Sequence, residues 1–206
     1  MVAQTRKKTY TSLNALTVQE VIKIATGKRG IHPAKGDPYF VVKYGPPGSG
    51  KSSTHVYNEI KKLGPSLTSY VDINQDTLVE SMKNYQRNHT QYNRLRYHKN
   101  RKGLSLYKKS AIVLKKAVEA KANIIVEITG GRDEDPLDWI HKLIKGTSYK
   151  LIVIMATVPL ETILTRLETR DRTRAVEEVK EEYKWSLLNF DKYIKPHHKY
   201  ILVDNS

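Results

Sequence analysis

With 206 residues, 39% of them hydrophobic, the chain is long enough to bury a sizeable core, and its apolar residues gather in short runs, which argues against disorder. The longest such run, Leu151 to Ala156 and on toward Leu160, is too short to cross a bilayer, and MVAQTRKKTYTS lacks the apolar stretch of a signal peptide, so a cytoplasmic protein with no membrane contact is expected. The absence of cysteine excludes disulfides and thiolate chemistry, while 36 Lys and Arg against 21 Asp and Glu give a net charge of +15 that favours polyanionic partners, or simply a solubilising surface.

Residues 1–16 read as a basic, poorly ordered arm ahead of a single domain over 17–206. Thr17-Val18-Gln19-Glu20 fits a capping box, followed by a helix with Val18, Val21, Ile22 and Ala25 on one face and Gly27 as its stop. After a Gly/Pro-rich connector from Gly30 to Pro38, the apolar run Tyr39–Tyr44 predicts a strand. A helix over Lys51–Leu63, a strand over Thr68–Ile73 and a further helix beginning over Asp76–Tyr85 come next. The helix expected over Leu104–Ala120 has Leu106, Ala111, Ile112, Leu114 and Val118 as candidate buried positions. Asn123–Ile128 and Leu151–Val158 are near-continuous apolar runs of the kind that form central strands covered on both faces. Helices over Pro136–Ile144, Pro159–Thr169 and Ala175–Tyr193 and a last strand over Tyr200–Asp204 complete the alternation. Five strands joined by helical crossovers predict an α/β fold: a three-layer P-loop NTPase fold, with a five-stranded parallel sheet flanked by helices.

Gly45-Pro46-Pro47-Gly48-Ser49-Gly50-Lys51-Ser52, with Ser53 next, matches the phosphate-loop pattern G-x-x-x-x-G-K-[ST] between a predicted strand and a predicted helix. Such a loop wraps phosphates in backbone N–H groups, its glycines permit close approach, and the next helix presents its positive end to the same anion. Lys51 is placed to reach the β- and γ-phosphates, and Ser52 to ligate Mg²⁺. A nucleoside triphosphate with Mg²⁺ is therefore the expected ligand.

A phosphate loop alone does not separate a kinase from a switch or a motor. The second strand runs into Asp72-Ile73-Asn74-Gln75-Asp76, which brings carboxylates to the edge where ligands bind in such sheets. Asp76 is the first candidate for the base that takes the acceptor hydroxyl's proton and Asp72 the second; the competing role for Asp76 is helix N-cap. Arg166, Arg170, Arg172 and Arg174 crowd a short arginine lid over 164–175, suited to neutralise charge during phosphoryl transfer. Glu127 lies near the end of its strand, where a carboxylate faces the magnesium or its waters. Thr129 and Arg132 follow in a Gly-containing loop at the same edge, with Arg132 a candidate phosphate holder.

Between Glu80 and Glu119 there is no acidic residue, and lysines and arginines alternate with Tyr85, Tyr92, Tyr97 and Tyr107. This stretch (82–118) reads as a basic insert on the acceptor side, and Lys83–Lys116 suits either a small nucleotide-linked acceptor, a nucleic acid or a solvated face.

Four pieces together, GPPGSGKSS, INQDTL, NIIVEITGGR and ATVPLETILTRLETRDRTRA, resemble the zeta-toxin-like P-loop kinases from about Tyr39 to Lys192. The resemblance implies a nucleotide-kinase-like fold and transfer of the γ-phosphoryl group of ATP to a hydroxyl, in known members that of a UDP-linked amino sugar. It puts the general base at Asp76, Lys51 and Ser52 on ATP and magnesium, Glu127, Thr129 and Arg132 in the crevice, and Arg170 and Arg174 on the triphosphate. Where the family has an acidic sugar-contacting residue, this chain has Ser110, and polynucleotide 5′-hydroxyl and nucleoside kinases share the same branch of folds. The alternative from another class is a nucleic-acid-binding protein that uses ATP as a switch without phosphotransfer.

Overall fold

A computed structural model of the chain describes residues 16–82, 85, 96–97, 104–168 and 174–206. In chain order these form α1 (Val18–Ala25), β1 (Tyr39–Tyr44), α2 (Thr54–Lys62), β2 (Tyr70–Ile73), α3 (Gln75–Glu80), α4 (Leu106–Glu119), β3 (Asn123–Ile128), α5 (Asp138–Ile144), β4 (Lys150–Thr157), α6 (Leu160–Glu168), α7 (Val176–Asn189) and β5 (Lys199–Asp204), with a π-helical turn at Phe190–Ile194 after α7. The strands make one parallel sheet in the order β2-β3-β1-β4-β5. This is the α/β, five-stranded architecture expected from the alternation.

Alternate residues of β1 supply opposite faces of the sheet. Phe40, Val42 and Tyr44 join a core with Val21 of α1, Val113 and Ala117 of α4, and Ile140 of α5. Val41 faces the other way, with Ile125 and Ile154 from the neighbouring strands and Val56 and Ile60 of α2. A third cluster, Val158, Ile163, Leu167 and Val179, joins α6 to α7. From β1 the chain crosses to β2 at one edge, returns to β3, then passes over β1 to β4 on the other side. The strand order therefore reverses at β1, which makes the carboxyl ends of β1 and its neighbours the switch point where sheets of this kind form their ligand crevice.

Several boundaries move for physical reasons. The capping box at Thr17 forms in both directions, Glu20 N donating to Thr17 Oγ1 (3.2 Å) and Thr17 N to Glu20 Oε2 (2.7 Å). Leu16, assigned to the arm, is buried in the core, and Lys109 donates to its carbonyl oxygen (2.6 Å). The helix expected from Lys51 begins only at Thr54, because Ser53 caps it by accepting from Val56 N. Both ends of the expected insert over 82–118 belong to the core. Met82 is buried, and α4 is a core helix whose inner stripe is Leu106, Ser110, Val113, Leu114 and Ala117. Of the positions expected inside, Ala111 is exposed, while Ile112 and Val118 are half-buried. Ser110 donates to Leu106 O within its own helix (3.0 Å), so its hydroxyl is committed to the core. Most of 83–103, including Lys83, lies outside the described residues.

Candidate functional site

The phosphate loop leaves β1 through Gly45, at φ +142°, where a Cβ would come within 2.6 Å of Ala156 O and 2.8 Å of Ser49 Oγ. Only glycine fits there without moving the β4 backbone. Lys51 is buried, and its ammonium donates to Gly45 O and Pro46 O, each at 2.8 Å. The loop Gly45, Pro46, Pro47, Gly48, Ser49, Gly50 thus folds around its own lysine. From outside, Asn205, just past β5, holds the loop's far limb: its side-chain amide donates to Ser49 O (2.9 Å) and Gly50 O (3.4 Å), and its Oδ1 accepts from Ser53 Oγ (2.9 Å). Arg166 of α6 joins this clasp, donating to Asn205 O (2.5 Å) and Gly48 O (3.4 Å). Neither Asn205 nor the loop-binding role of Arg166 was legible from a motif.

Beside the loop, Glu127 at the end of β3 is where four groups converge. Its Oε2 accepts from Ser52 Oγ (3.2 Å) and Asn74 Nδ2 (3.2 Å) and lies 3.6 Å from Lys43 Nζ; its Oε1 lies 3.8 Å from Lys51 Nζ. Asp72 of β2 lies on the other side of Lys43, with Oδ2 at 3.6 Å from Nζ, and the same oxygen accepts from the Tyr57 hydroxyl at 2.8 Å. Lys43 in turn donates to the Tyr57 hydroxyl (3.0 Å). Burial pushes the Lys43 ammonium toward neutrality, but Asp72 and Glu127 outweigh that, and its pKa stands above the usual lysine value. Sequence reasoning passed over Lys43; the signal was a lysine inside an apolar central-strand run, in register with Glu127 across the β1–β3 ladder. Asp72, the second candidate base, has its Oδ2 engaged by Tyr57 and Lys43, which disfavours it in that role.

The N-cap of α3 is Asn74, whose Oδ1 accepts from Asp76 N and Thr77 N. The cap role weighed for Asp76 is therefore filled by Asn74, and Asp76 is a half-buried side chain in the first turn of α3. Because Asn74 caps the helix with its oxygen and reaches Glu127 with its nitrogen, one residue ties the Asp76 segment to the phosphate-loop carboxylate.

At the end of β3 the backbone turns at Gly130 (φ +62°), packed over Tyr44. Tyr44 donates to Ser186 O (2.9 Å), and Asn189 donates to the carbonyl oxygens of Gly130 (3.0 Å) and Arg132. This loop is firmly held by α7, and it leaves Thr129 and Arg132 exposed at the crevice edge. Arg174, expected on the triphosphate, forks instead onto Glu182 (2.9 and 2.7 Å) and reaches Glu178 (2.8 Å). These bonds raise its pKa further, and a bidentate carboxylate matches the guanidinium geometry. Gly131 packs against Glu182, so the ion pair lies at the rim of the crevice. Arg170 and Arg172 lie outside the described residues. Of the basic stretch, Arg96 stacks over the Tyr97 ring (5.1 Å), and Tyr97 and Tyr107 form a tilted, exposed pair (6.1 Å).

Chemically, the edge offers an anion cradle with a lysine inside it and, beside it, a hydroxyl–carboxylate pair of hard oxygen donors. Among the described residues no group of three or more His, Cys, Asp or Glu is arranged for a metal ion. Magnesium is commonly held by one or two protein oxygens together with substrate phosphates. Ser52 and Glu127 fit that requirement. Among the described residues no helix is long and apolar enough to cross a membrane.

A family model described as an AAA domain matches residues 40–189. Among solved structures, the chain is similar to one from the PezAT chromosomal toxin–antitoxin system of Streptococcus pneumoniae, with 14% identity, a TM-score of 0.58, and coverage of 91% of this chain and 76% of that one. It is also similar to the Pnkp1/Rnl/Hen1 RNA repair complex, with 13% identity and a TM-score of 0.50; the match covers 78% of this chain and 47% of that one. Deoxyadenosine kinase from M. mycoides matches at 17% identity and a TM-score of 0.43, over 81% of this chain and 89% of that one. At these identities the likeness is one of fold. No curated protein sequence matches the chain.

Proposed function

The chain belongs to the AAA domain family, its fold is that of the P-loop kinases in agreement with the zeta-toxin-like resemblance of its motifs, and on that premise we propose that it transfers the γ-phosphoryl group of ATP to a hydroxyl acceptor with Mg²⁺. The observation that carries this reading is the convergence on Glu127: the phosphate-loop lysine, the Ser52 hydroxyl and, through Asn74, the helix bearing Asp76 all meet one carboxylate.

The chemistry a magnesium ion would supply at this site is neutralisation of charge on the phosphate oxygens. Ser52 and Glu127 would hold the ion. Lys51 leaves the carbonyls of Gly45 and Pro46 for the β- and γ-phosphates, and the loop's N–H groups, with Ser53 at the start of α2, line the phosphates. Asp76 orients the acceptor hydroxyl and takes its proton as that oxygen bonds to the γ-phosphorus and the bond from the γ-phosphorus to the β,γ-bridging oxygen breaks, releasing ADP. Thr129 and Arg132 flank the acceptor, and Arg170 neutralises charge on the migrating group. Arg174, held on α7 by Glu178 and Glu182, would have to exchange those carboxylates to reach the triphosphate, as Lys51 exchanges its carbonyls. The acceptor is anionic: Lys108, Lys115 and Lys116 are exposed on α4, the helix that also carries Tyr107 of the exposed Tyr97–Tyr107 pair, which suits a nucleotide-linked or polynucleotide substrate.

The test is transfer of labelled γ-phosphate from ATP with Mg²⁺ to UDP-sugars, nucleosides and nucleotides, and 5′-hydroxyl oligonucleotides offered in parallel. Label on one class is expected, with Asp76→Asn reducing the rate by about a hundredfold or more and leaving ATP affinity nearly unchanged. Wild-type turnover in that variant would remove Asp76 as the base. Label on no acceptor, with salt-sensitive oligonucleotide binding, would replace the kinase reading by that of an ATP-switched nucleic-acid binder.

A further inference from the structure

Lys43 has no exposed surface, and it points to the α2 face of the sheet, beyond Val41 on the same strand. An unpaired ammonium at that depth is strongly disfavoured. Its partners come from three other elements: Glu127 of β3 and Asp72 of β2, each with an oxygen at 3.6 Å, and the Tyr57 hydroxyl of α2 at 3.0 Å. Two carboxylates and a hydroxyl around one cation resemble the hard-oxygen donor set with which proteins hold divalent metal ions. Here the cation is part of the chain. The ladder makes the placement rigid, because Lys43 and Glu127 are direct cross-strand partners and Asp72 pairs with Ile125, two residues before Glu127.

We propose that Lys43 is a built-in cation of the site: it fills the space between Asp72 and Glu127, excludes a divalent ion from that space, and so keeps Glu127 turned toward Ser52 and the phosphate loop. Lys43 is on this account a positioning residue, acting through Glu127. The consequence for nucleotide rests on the function proposed above; the consequence for divalent cations does not.

The proposal predicts effects of opposite sign in one variant. Lys43→Met leaves two carboxylates uncompensated beneath the loop. Nucleotide-free protein should then bind Mn²⁺ about tenfold or more tightly than wild type, while binding of ATP in EDTA weakens by about tenfold, because one positive charge near the triphosphate is gone. A purely structural role for Lys43 would weaken both. Asp72→Asn should act in the other direction, tightening metal-free ATP binding by roughly threefold, and the double variant Lys43→Met with Asp72→Asn should return both affinities toward wild type. Calorimetric titration of the four proteins with Mn²⁺, and separately with ATP in EDTA, reads all of this. Unchanged Mn²⁺ binding in Lys43→Met, or shifts of metal-free ATP binding in the same direction for Lys43→Met and Asp72→Asn, would overturn the proposal. Should Lys43→Met fail to fold, folding of the charge-balanced double variant together with tighter ATP binding in Asp72→Asn supports it, and failure of either overturns it. If wild type binds no ATP, the nucleotide reading falls and the Mn²⁺ titration alone decides Lys43.

Discussion

Asn205 and Gly130 carry unusual structural weight for single residues, and neither announces it in the sequence. Asn205 is remote in sequence from the loop it holds, and its amide satisfies carbonyls of Ser49 and Gly50 that would otherwise lack that partner. Asn205→Ala should lower stability by about 1–3 kcal/mol in urea unfolding, the usual result of orphaning buried acceptors. It should also weaken nucleotide binding, since the loop's N–H groups aim only as well as its carbonyls are fixed; unchanged affinity would mean the loop shapes itself. Gly130 sits at φ +62°, where a Cβ would lie 1.8 Å from the Tyr44 hydroxyl oxygen. Tyr44 is buried and bonded to Ser186 O, so it has nowhere to go. Gly130→Ala should therefore cost about 2–4 kcal/mol, combining backbone strain with overpacking. A change below about 0.5 kcal/mol in the same unfolding measurement would contradict this packing.

Among the elements, the strands were the most legible. β1 and β3 fall where their apolar runs put them, because a parallel strand covered on both faces has few polar positions to blur its ends. The inner face of α1 was legible with its phase, Val21 and Ala25 buried and Val18 and Ile22 packed against the core, whereas the phase of α4 was legible only in part. α4 buries Val113 and Ala117 rather than Ala111, since four apolar residues run together at Ala111–Leu114 and periodicity alone cannot choose among them. The start of α2 is set by Ser53, whose Oγ accepts from Val56 N, and with hydroxyls in a row at Ser52, Ser53 and Thr54 the sequence left the cap position open. In the site, the positions of Lys51 and Ser52 in the loop were readable because phosphate binding constrains the motif's spacing, and that of Glu127 because it closes an apolar strand beside that loop. Lys43 and Asn205 were not, because what defines them is who faces them across the sheet. Arg174 shows the same limit: its arginine-rich surroundings suggested phosphate, yet Glu178 and Glu182 one and two turns into α7 were nearer partners. Since this guanidinium is only 17% exposed, Arg174→Gln should destabilise the protein by about 1–2 kcal/mol, while Lys180→Gln, from the more exposed pair with Glu177, should cost less than about 0.5 kcal/mol. Equal effects of the two in urea unfolding would mean the Arg174 fork contributes no more than a surface pair.

At the scale of the whole molecule, the strand order puts the crevice at the switch point and the charge balance determines how strongly an anion is drawn to it. A net charge of +15 on 206 residues is self-repulsive, so the folded state is opposed by its own field, and a bound polyanion relieves that opposition as well as making local contacts. These two contributions respond differently to salt. Added salt screens the self-repulsion and should raise the melting temperature of the free protein. The same screening weakens attraction of the triphosphate, so the extra stabilisation conferred by ATP should shrink. With ATP at about a hundred times its dissociation constant, linkage gives roughly 2.7 kcal/mol of stabilisation, which for a chain of this length corresponds to a shift of about 5–10 °C. At fixed ATP concentration that shift should fall as salt is raised from about 20 to 200 mM, while the free protein's own melting point climbs. Differential scanning fluorimetry with and without ATP across that range measures both trends. A shift that stays constant with salt would locate the affinity in the loop's own N–H groups and Lys51, leaving the surplus charge to act on a different partner. A shift that falls in parallel for ATP and for inorganic triphosphate would assign the attraction to the field around the crevice rather than to any recognition of the base.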